Sequence, residues 1–179
     1  RRREHIADDL GTAVNVQAMV FGNRDDGSGT GVGFTRNAAT GENRAYGDFL
    51  VNAQGEDVVA GIRNTESLDD MRRKFPEIHR ELLGIFVTLE AHYMCDTEFT
   101  IEHGKLWMLQ TRVGKRTGAA ALKMAVDMTK GTRDGKGGRW KITRAEAVGR
   151  ITEDHLEAVL HPQFRDKGAA VTSGVGASP

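Results

Sequence analysis

From Ala13 to Phe21 apolar and polar positions alternate. Val14, Val16, Ala18 and Val20 fall on one face, and Asn15, Gln17, Met19 and Phe21 on the other. A period of two carried by β-branched residues predicts a strand. Asn23 to Gly31 is a turn cluster. Val32 to Arg36 reads as a second strand, Asn37 to Glu42 turns the chain, and Ala45 to Val51 returns it as a third. The period then lengthens. Ser67 followed by Asp70 is a capping-box variant opening one helix, and Pro76 begins a longer one. In the latter, Ile78, Leu82, Phe86, Leu89 and Tyr93 recur at three- and four-residue steps, a stripe suited to packing on a sheet. Asp96 to Ile101 and Leu106 to Arg112 are strands joined at Glu102-His103-Gly104-Lys105. Ala119 to Thr129 is a strong helix former, and Gly131 to Gly138 a polar, glycine-rich loop. Thr143 to Glu146 opens another helix, and Asp154 to Leu160 continues helical before the pattern fades at His161. Strands in hairpins with helices outside them give an α+β class, an antiparallel sheet with flanking helices.

Charge narrows the partners. Lys and Arg number 25 and Asp and Glu 25 in 179 residues, so no net field draws the chain to nucleic acid or to an acidic membrane. No apolar run approaches the roughly 18 residues of a membrane helix. Cys95 is the single cysteine, which rules out an internal disulfide and fits a cytoplasmic location. A start at Arg1-Arg2-Arg3 without Met, and an end at Gly176-Ala177-Ser178-Pro179, are expected of a piece of a longer chain.

The 96–112 hairpin concentrates the chemistry, and its turn decides which side chains share a face. A two-residue turn at His103-Gly104 sets position 101 opposite 106 and sends Glu98 and Gln110 to opposite sides. A type I turn followed by Gly104 as a G1 bulge sets 101 opposite 105. Asp96, Glu98, Thr100, Met108, Gln110 and Arg112 then share one face, while Thr97, Phe99, Ile101, Trp107, Leu109 and Thr111 share the other. The bulged form sorts polar from apolar better and is the expected one. Two carboxylates, an amide oxygen and a guanidinium suit a metal-bound polyphosphate. A solvated sheet face with surface ion pairs is the other reading of the same residues.

Four blocks carry a resemblance: Val14-Asn15-Val16-Gln17-Ala18-Met19-Val20, Ser28 to Arg36 (SGTGVGFTR), Asn52 to Gly61 (NAQGEDVVAG), and Glu98-Phe99-Thr100 with Met108 to Arg112 (MLQTR). In order and spacing, over about residues 8 to 117, they resemble the pyruvate phosphate dikinase family, in the C-terminal part of its ATP-grasp nucleotide-binding domain. The 52–61 block is the most specific, because the related phosphoenolpyruvate synthases differ there. The resemblance implies a phosphotransferase that grips ATP and Mg²⁺ between two lobes. Through a phosphohistidine it interconverts ATP, phosphate and pyruvate with AMP, pyrophosphate and phosphoenolpyruvate. By position it implies that Gln17, Ala18, Met19 and Val20 line the adenine. Glu56 and Asp57 lie near ribose and polyphosphate, Glu98 and Gln110 hold Mg²⁺, Asp96 supports them, and Arg112 meets the transferred phosphoryl groups.

The implied domains are a nucleotide-binding lobe over 1–117, a helical extension over 118–165 and a linker over 166–179. The linker leads toward a phosphohistidine swivelling domain that, like the pyruvate-binding barrel and the first ATP-grasp lobe, is absent from this sequence. The parent is expected to be a homodimer, with the present chain inactive alone. A phosphoenolpyruvate synthase-type domain and a non-catalytic nucleotide-binding module are the alternatives. Ala38 and Asp48 depart from the family's usual proline and glutamate, which affects loop stiffness more than chemistry. Asp25-Asp26 reads as a solvated turn, and His79, His92 and His103 as surface or capping residues.

Overall fold

The computed structural model describes residues 9–60, 63–92, 95–130 and 142–161, without the side chains of residues 91–95. Tyr93, the thiol of Cys95, the 131–138 loop and the 166–179 linker lie outside the described residues. The elements run β1 (Gly29–Phe34), β2 (Tyr46–Val51), α1 (Gly55–Val59), β3 (Glu66–Ser67), α2 (Leu68–Lys74), α3 (Pro76–His92), β4 (Cys95–Glu102), β5 (Lys105–Val113), α4 (Gly118–Lys130), α5 (Arg144–Gly149) and α6 (Glu153–Leu160). The strands form one antiparallel sheet in the order β3-β2-β1-β4-β5. The α+β class expected from the sequence is the class observed.

β1 is central, and its glycines decide how the main core forms. Gly29, Gly31 and Gly33 alternate onto one face, where the rings of Phe49, Phe99 and Phe86 lie against the bare backbone. A Cβ at Gly31 would stand 2.5 Å from the Phe99 ring and 2.7 Å from the Asp48 carbonyl oxygen. Around these rings Leu68 and Met71 of α2 and Ile78, Leu82 and Phe86 of α3 close the core with Ile101 and Leu106. The stripe predicted for α3 therefore packs on the sheet. Gly31→Ala is expected to cost about 1–3 kcal/mol by overpacking, because a carbonyl cannot swing aside as a side-chain tip can. Urea titration measures this, and an unchanged midpoint would contradict the packing.

On the opposite face Val32, Leu50, Ala53 and Val58 form a smaller cluster that seats α1 on the sheet. The helix ends follow their sequence signals. Ser67 Oγ accepts from the Asp70 N–H at 3.2 Å while the Asp70 carboxylate accepts from the Ser67 N–H at 3.1 Å. Thr143 and Glu146 cap α5 in the same reciprocal way.

The strand predicted over Ala13 to Phe21 does not form. Residues 10–21 carry no regular structure, and Val14 and Val16 are 87% and 95% exposed. Alternation specifies which side of a strand faces a core, but the strand itself exists only as part of a ladder. β1 already pairs with β2 and β4, and the 13–21 segment joins neither of the edge strands β3 and β5.

His79 also departs from its expected surface role: it is 9% exposed. Burial, followed by the nearby Arg72 charge, lowers its pKa below the ordinary 6.5. The unfolded chain therefore takes up a proton first as pH falls. The neutral ring's contribution is fully present above pH 6.5 and is lost as pH drops through the folded value. Denaturant midpoints should fall with acidification below neutrality, and His79→Phe should flatten that slope. An identical slope in the variant would refute the assignment.

Candidate functional site

The β4–β5 hairpin turns at His103 and Gly104, with φ of 49° and 72°. Two consecutive left-handed residues make the two-residue turn whose twist suits a hairpin. Near the turn the partners are Ile101 with Leu106, Thr100 with Trp107 and Phe99 with Met108. The ladder then shifts between Glu98 and Phe99, and the pairs become Glu98 with Gln110 and Asp96 with Arg112. Leu109 is the extra residue. The bulge expected at Gly104 is thus absent, and a bulge in mid-strand does its work.

This relocation keeps Asp96, Glu98, Thr100, Gln110 and Arg112 together and exchanges others. Asp96, Glu98, Gln110 and Arg112 share the face on which α1 sits. Met108, expected among them, instead packs on the main core, and Leu106 is buried there. Trp107, expected on the buried face, falls opposite Thr100 and is 37% exposed, with Lys105 Nζ 4.0 Å from its ring centre. The burial pattern explains the choice. Leu106 and Met108 reach the core only if the shift lies beyond them, and the polar pairs then follow from where it falls.

Arg112 bridges the two carboxylates. Its Nε lies 3.5 Å from Asp96 Oδ2, and its Nη2 3.8 Å from Glu98 Oε1. Asp96 is 7% exposed, and Gly114 leaves room for its carboxylate against the backbone. Burial raises the Asp96 pKa above the ordinary carboxylate value, while Arg112 and the Lys115 N–H pull it down. Glu98 is half-exposed and Gln110 exposed, so both present oxygens to solvent from opposite positions of the ladder. Among the described residues no three His, Cys, Asp or Glu side chains gather as a metal-ligand cluster.

The other expected residues lie on different elements. Glu56 and Asp57 occupy the first turn of α1. The Asp57 carboxylate accepts from the Gln54 N–H at 2.8 Å and so caps its own helix. Gln17, Ala18 and Met19 are exposed and Val20 half-buried, outside any strand. The chain after them is fastened to the hairpin tip. Glu102 accepts from the Phe21 N–H at 3.1 Å and pairs with Arg24 at 3.0 Å. His103 Nδ1 lies 2.6 Å from Asp25, and the Gly104 N–H donates to the Gly27 carbonyl at 2.9 Å. Asp25 is thus held inside its turn, chiefly by the Ser28 hydroxyl, which also lowers its pKa.

Similarity to known proteins decides the family. Residues 1–78 match the family described as "Pyruvate phosphate dikinase, AMP/ATP-binding domain". The chain is 52% identical over 175 residues to pyruvate, phosphate dikinase 1, chloroplastic, of Arabidopsis thaliana, covering 94% of this chain and 17% of that protein. Pyruvate, phosphate dikinase, chloroplastic, of Flaveria bidentis is 50% identical over 175 residues, with 94% and 18% covered, and pyruvate, phosphate dikinase 2 of Zea mays is 50% identical, with 94% and 19% covered. The chain belongs to the pyruvate phosphate dikinase family.

It spans under one fifth of the length of these dikinases. The stretch matched as the AMP/ATP-binding domain contains Gln17 to Val20, Glu56 and Asp57, while the hairpin lies C-terminal to it. No helix among the described residues is long and apolar enough to cross a membrane. The names of the Arabidopsis and Flaveria dikinases place those proteins in the chloroplast, not in the cytoplasm expected from the sequence. Sequence reasoning missed Trp107 and Arg36 in this dikinase segment. The first was legible, since a His-Gly pair able to adopt φ > 0 at both positions favours the tight turn. The second carried no local signal, because its partners Glu90 and Asp127 are 54 and 91 residues away.

Proposed function

We propose that this chain is the C-terminal part of an ATP-grasp domain and supplies one wall of the Mg·ATP site of a pyruvate phosphate dikinase. The observation that carries the reading is the mid-strand bulge, which gathers Glu98, Gln110, Asp96 and Arg112 onto one face. Directly opposed residues on such a ladder hold their Cβ atoms about 5 Å apart, a span that lets a carboxylate and an amide oxygen reach a common cation. Mg²⁺ takes one or two protein oxygens and completes its shell with phosphate and water, so the Glu98–Gln110 pair fits it without a larger cluster. When bound, the cation neutralises polyphosphate charge. Glu98 and Gln110 position it, Arg112 forks onto the phosphoryl being transferred, and Asp96 keeps the guanidinium aligned.

In this reading Gln17 to Val20 flank the adenine, and Glu56 and Asp57 approach the ribose and polyphosphate from α1. The nucleotide-binding lobe ends near residue 117, where α4 begins the helical extension. The phosphoryl acceptor is a histidine on a swivelling domain of the parent chain, and a pyruvate-binding barrel completes the relay within a homodimeric parent.

The Mg²⁺-dependent affinity of the chain for ATP, measured by titration calorimetry, tests the site. Glu98→Ala is expected to weaken Mg·ATP at least tenfold while leaving metal-free ATP binding nearly unchanged. Equal affinities for Mg·ATP in the variant and the parent sequence would remove Glu98 from the site.

A further inference from the structure

Beyond β5 the chain enters a second apolar cluster, in which Ala120, Met124 and Met128 of α4 pack together with Ile142 alongside. Between α4, α5 and α6 lies a cavity of about 160 Å³. Met124, Met128 and Ile151 form its apolar lining, and Arg116, Arg150 and His155 its polar one. The two arginines have unusual partners. Arg116 Nη1 donates to the Met124 thioether at 3.4 Å, and Arg150 Nη1 to the Met128 thioether at 3.6 Å. A thioether is a weak acceptor and carries no countercharge.

Among the described residues neither guanidinium lies in an ion pair, whereas Arg36 has two. Burial lowers the Arg116 pKa, the Arg150 charge lowers it further, and Asp96 opposes them. The acid on α5 near Arg150 is Glu146; its Oε2 accepts from the Thr143 N–H at 2.7 Å and the Thr143 hydroxyl at 2.9 Å, and the Arg150 charge adds to the lowering of its pKa. Glu153 and Asp154 stand exposed in the first turn of α6. His155 Nδ1 accepts from the Thr152 N–H at 3.2 Å. With Nδ1 accepting, Nε2 is the ring's donor at the cavity wall. Both guanidiniums line the cavity, and their like charges repel one another.

We propose that this cavity binds a small carboxylate on a short aliphatic body. The carboxylate takes the guanidinium donors of Arg116 and Arg150, and the aliphatic part lies on Met124, Met128 and Ile151. Volume and lining choose this class. Liquid water occupies about 30 Å³ per molecule, so the space matches about five waters, or a four-carbon acid. Inorganic phosphate would satisfy the charges but leave the apolar lining against water. The cavity lies among the helices beyond β5, and Asp96 of the nucleotide face acts electrostatically on both Arg112 and Arg116.

Titration calorimetry with sodium butyrate, acetate and orthophosphate at constant ionic strength tests the proposal on the full chain. Butyrate is expected to saturate one site and to bind several-fold more tightly than acetate or orthophosphate. Arg150→Gln should weaken butyrate at least tenfold. Ala125→Leu, which fills the cavity from α4 and keeps both arginines, should abolish binding with the helical circular dichroism retained. If Arg150→Gln unfolds the helices, Ala125→Leu carries the test alone. Non-saturating butyrate, orthophosphate binding as tight as butyrate, or full affinity in a folded Ala125→Leu would overturn the proposal.

Discussion

Replacing Arg112 with alanine in the longer dikinase is expected to lower kcat for ATP-dependent phosphoryl transfer by roughly 10³ or more, the scale at which an arginine on a transferring phosphoryl group acts. The geometry predicts a second consequence. Asp96 is 7% exposed and ion-paired with Arg112, so removing the guanidinium leaves a buried carboxylate with only the Lys115 N–H and the Arg116 charge to offset its burial. Arg112→Ala should therefore lose stability as well as rate. Arg112→Lys separates the two effects, since it keeps a charge beside Asp96 but cannot fork between two oxygens. Its expected signature is a melting temperature close to that of the parent sequence with kcat still reduced about a hundredfold. A Lys variant with unimpaired kcat would leave Arg112 a structural role only.

The largest stability effect is expected at Arg36, at the end of β1. Its Nε lies 2.5 Å from Glu90 on α3, and its Nη1 lies 2.8 Å from Asp127 on α4 and 3.1 Å from the Gly41 carbonyl. Arg36 is 8% exposed and the Glu90 side chain 13%, so this is a buried charge network joining the sheet to helices on two sides. Arg36→Met would keep the volume and strand the Glu90 carboxylate, while Asp127 keeps Lys123 at 3.2 Å. Breaking a buried pair from one side costs about 3–5 kcal/mol. In a domain of this size that lowers the melting temperature by roughly 10 °C. Adding Glu90→Gln should recover part of the loss, because the stranded charge is then gone. A single variant that melts like the parent sequence would show that the network contributes nothing net.

Much of the fold was legible because its signals are local. Ser67 with Asp70 and Thr143 with Glu146 satisfy helix-end donors within four residues, so the caps form wherever the rest of the chain goes. Ile78, Leu82 and Phe86 recur at helical spacing, and that spacing alone determines that they share a face. That Asp96, Glu98, Gln110 and Arg112 share one face was also anticipated, but from the wrong turn and with other cross-strand partners. A bulge at Gly104 and a bulge at Leu109 shift the far end of the hairpin by the same parity. Only the burial of Leu106 and Met108 against Phe99 and its neighbours distinguishes them.

The sequence by itself determined the α+β class, the helix caps, the hairpin and the family. Each of these rests on a pattern or a match readable along the chain. Tertiary structure alone decided three things. It left residues 13–21 out of the sheet, since an alternating pattern becomes a strand only where a neighbouring strand's ladder takes it up. It placed the bulge in mid-strand, which returns Gln110 and Arg112 to the face of Glu98 and Asp96. It also brought Arg36 to Glu90 and Asp127, because charges 54 and 91 residues apart in sequence meet only when helices pack on a sheet.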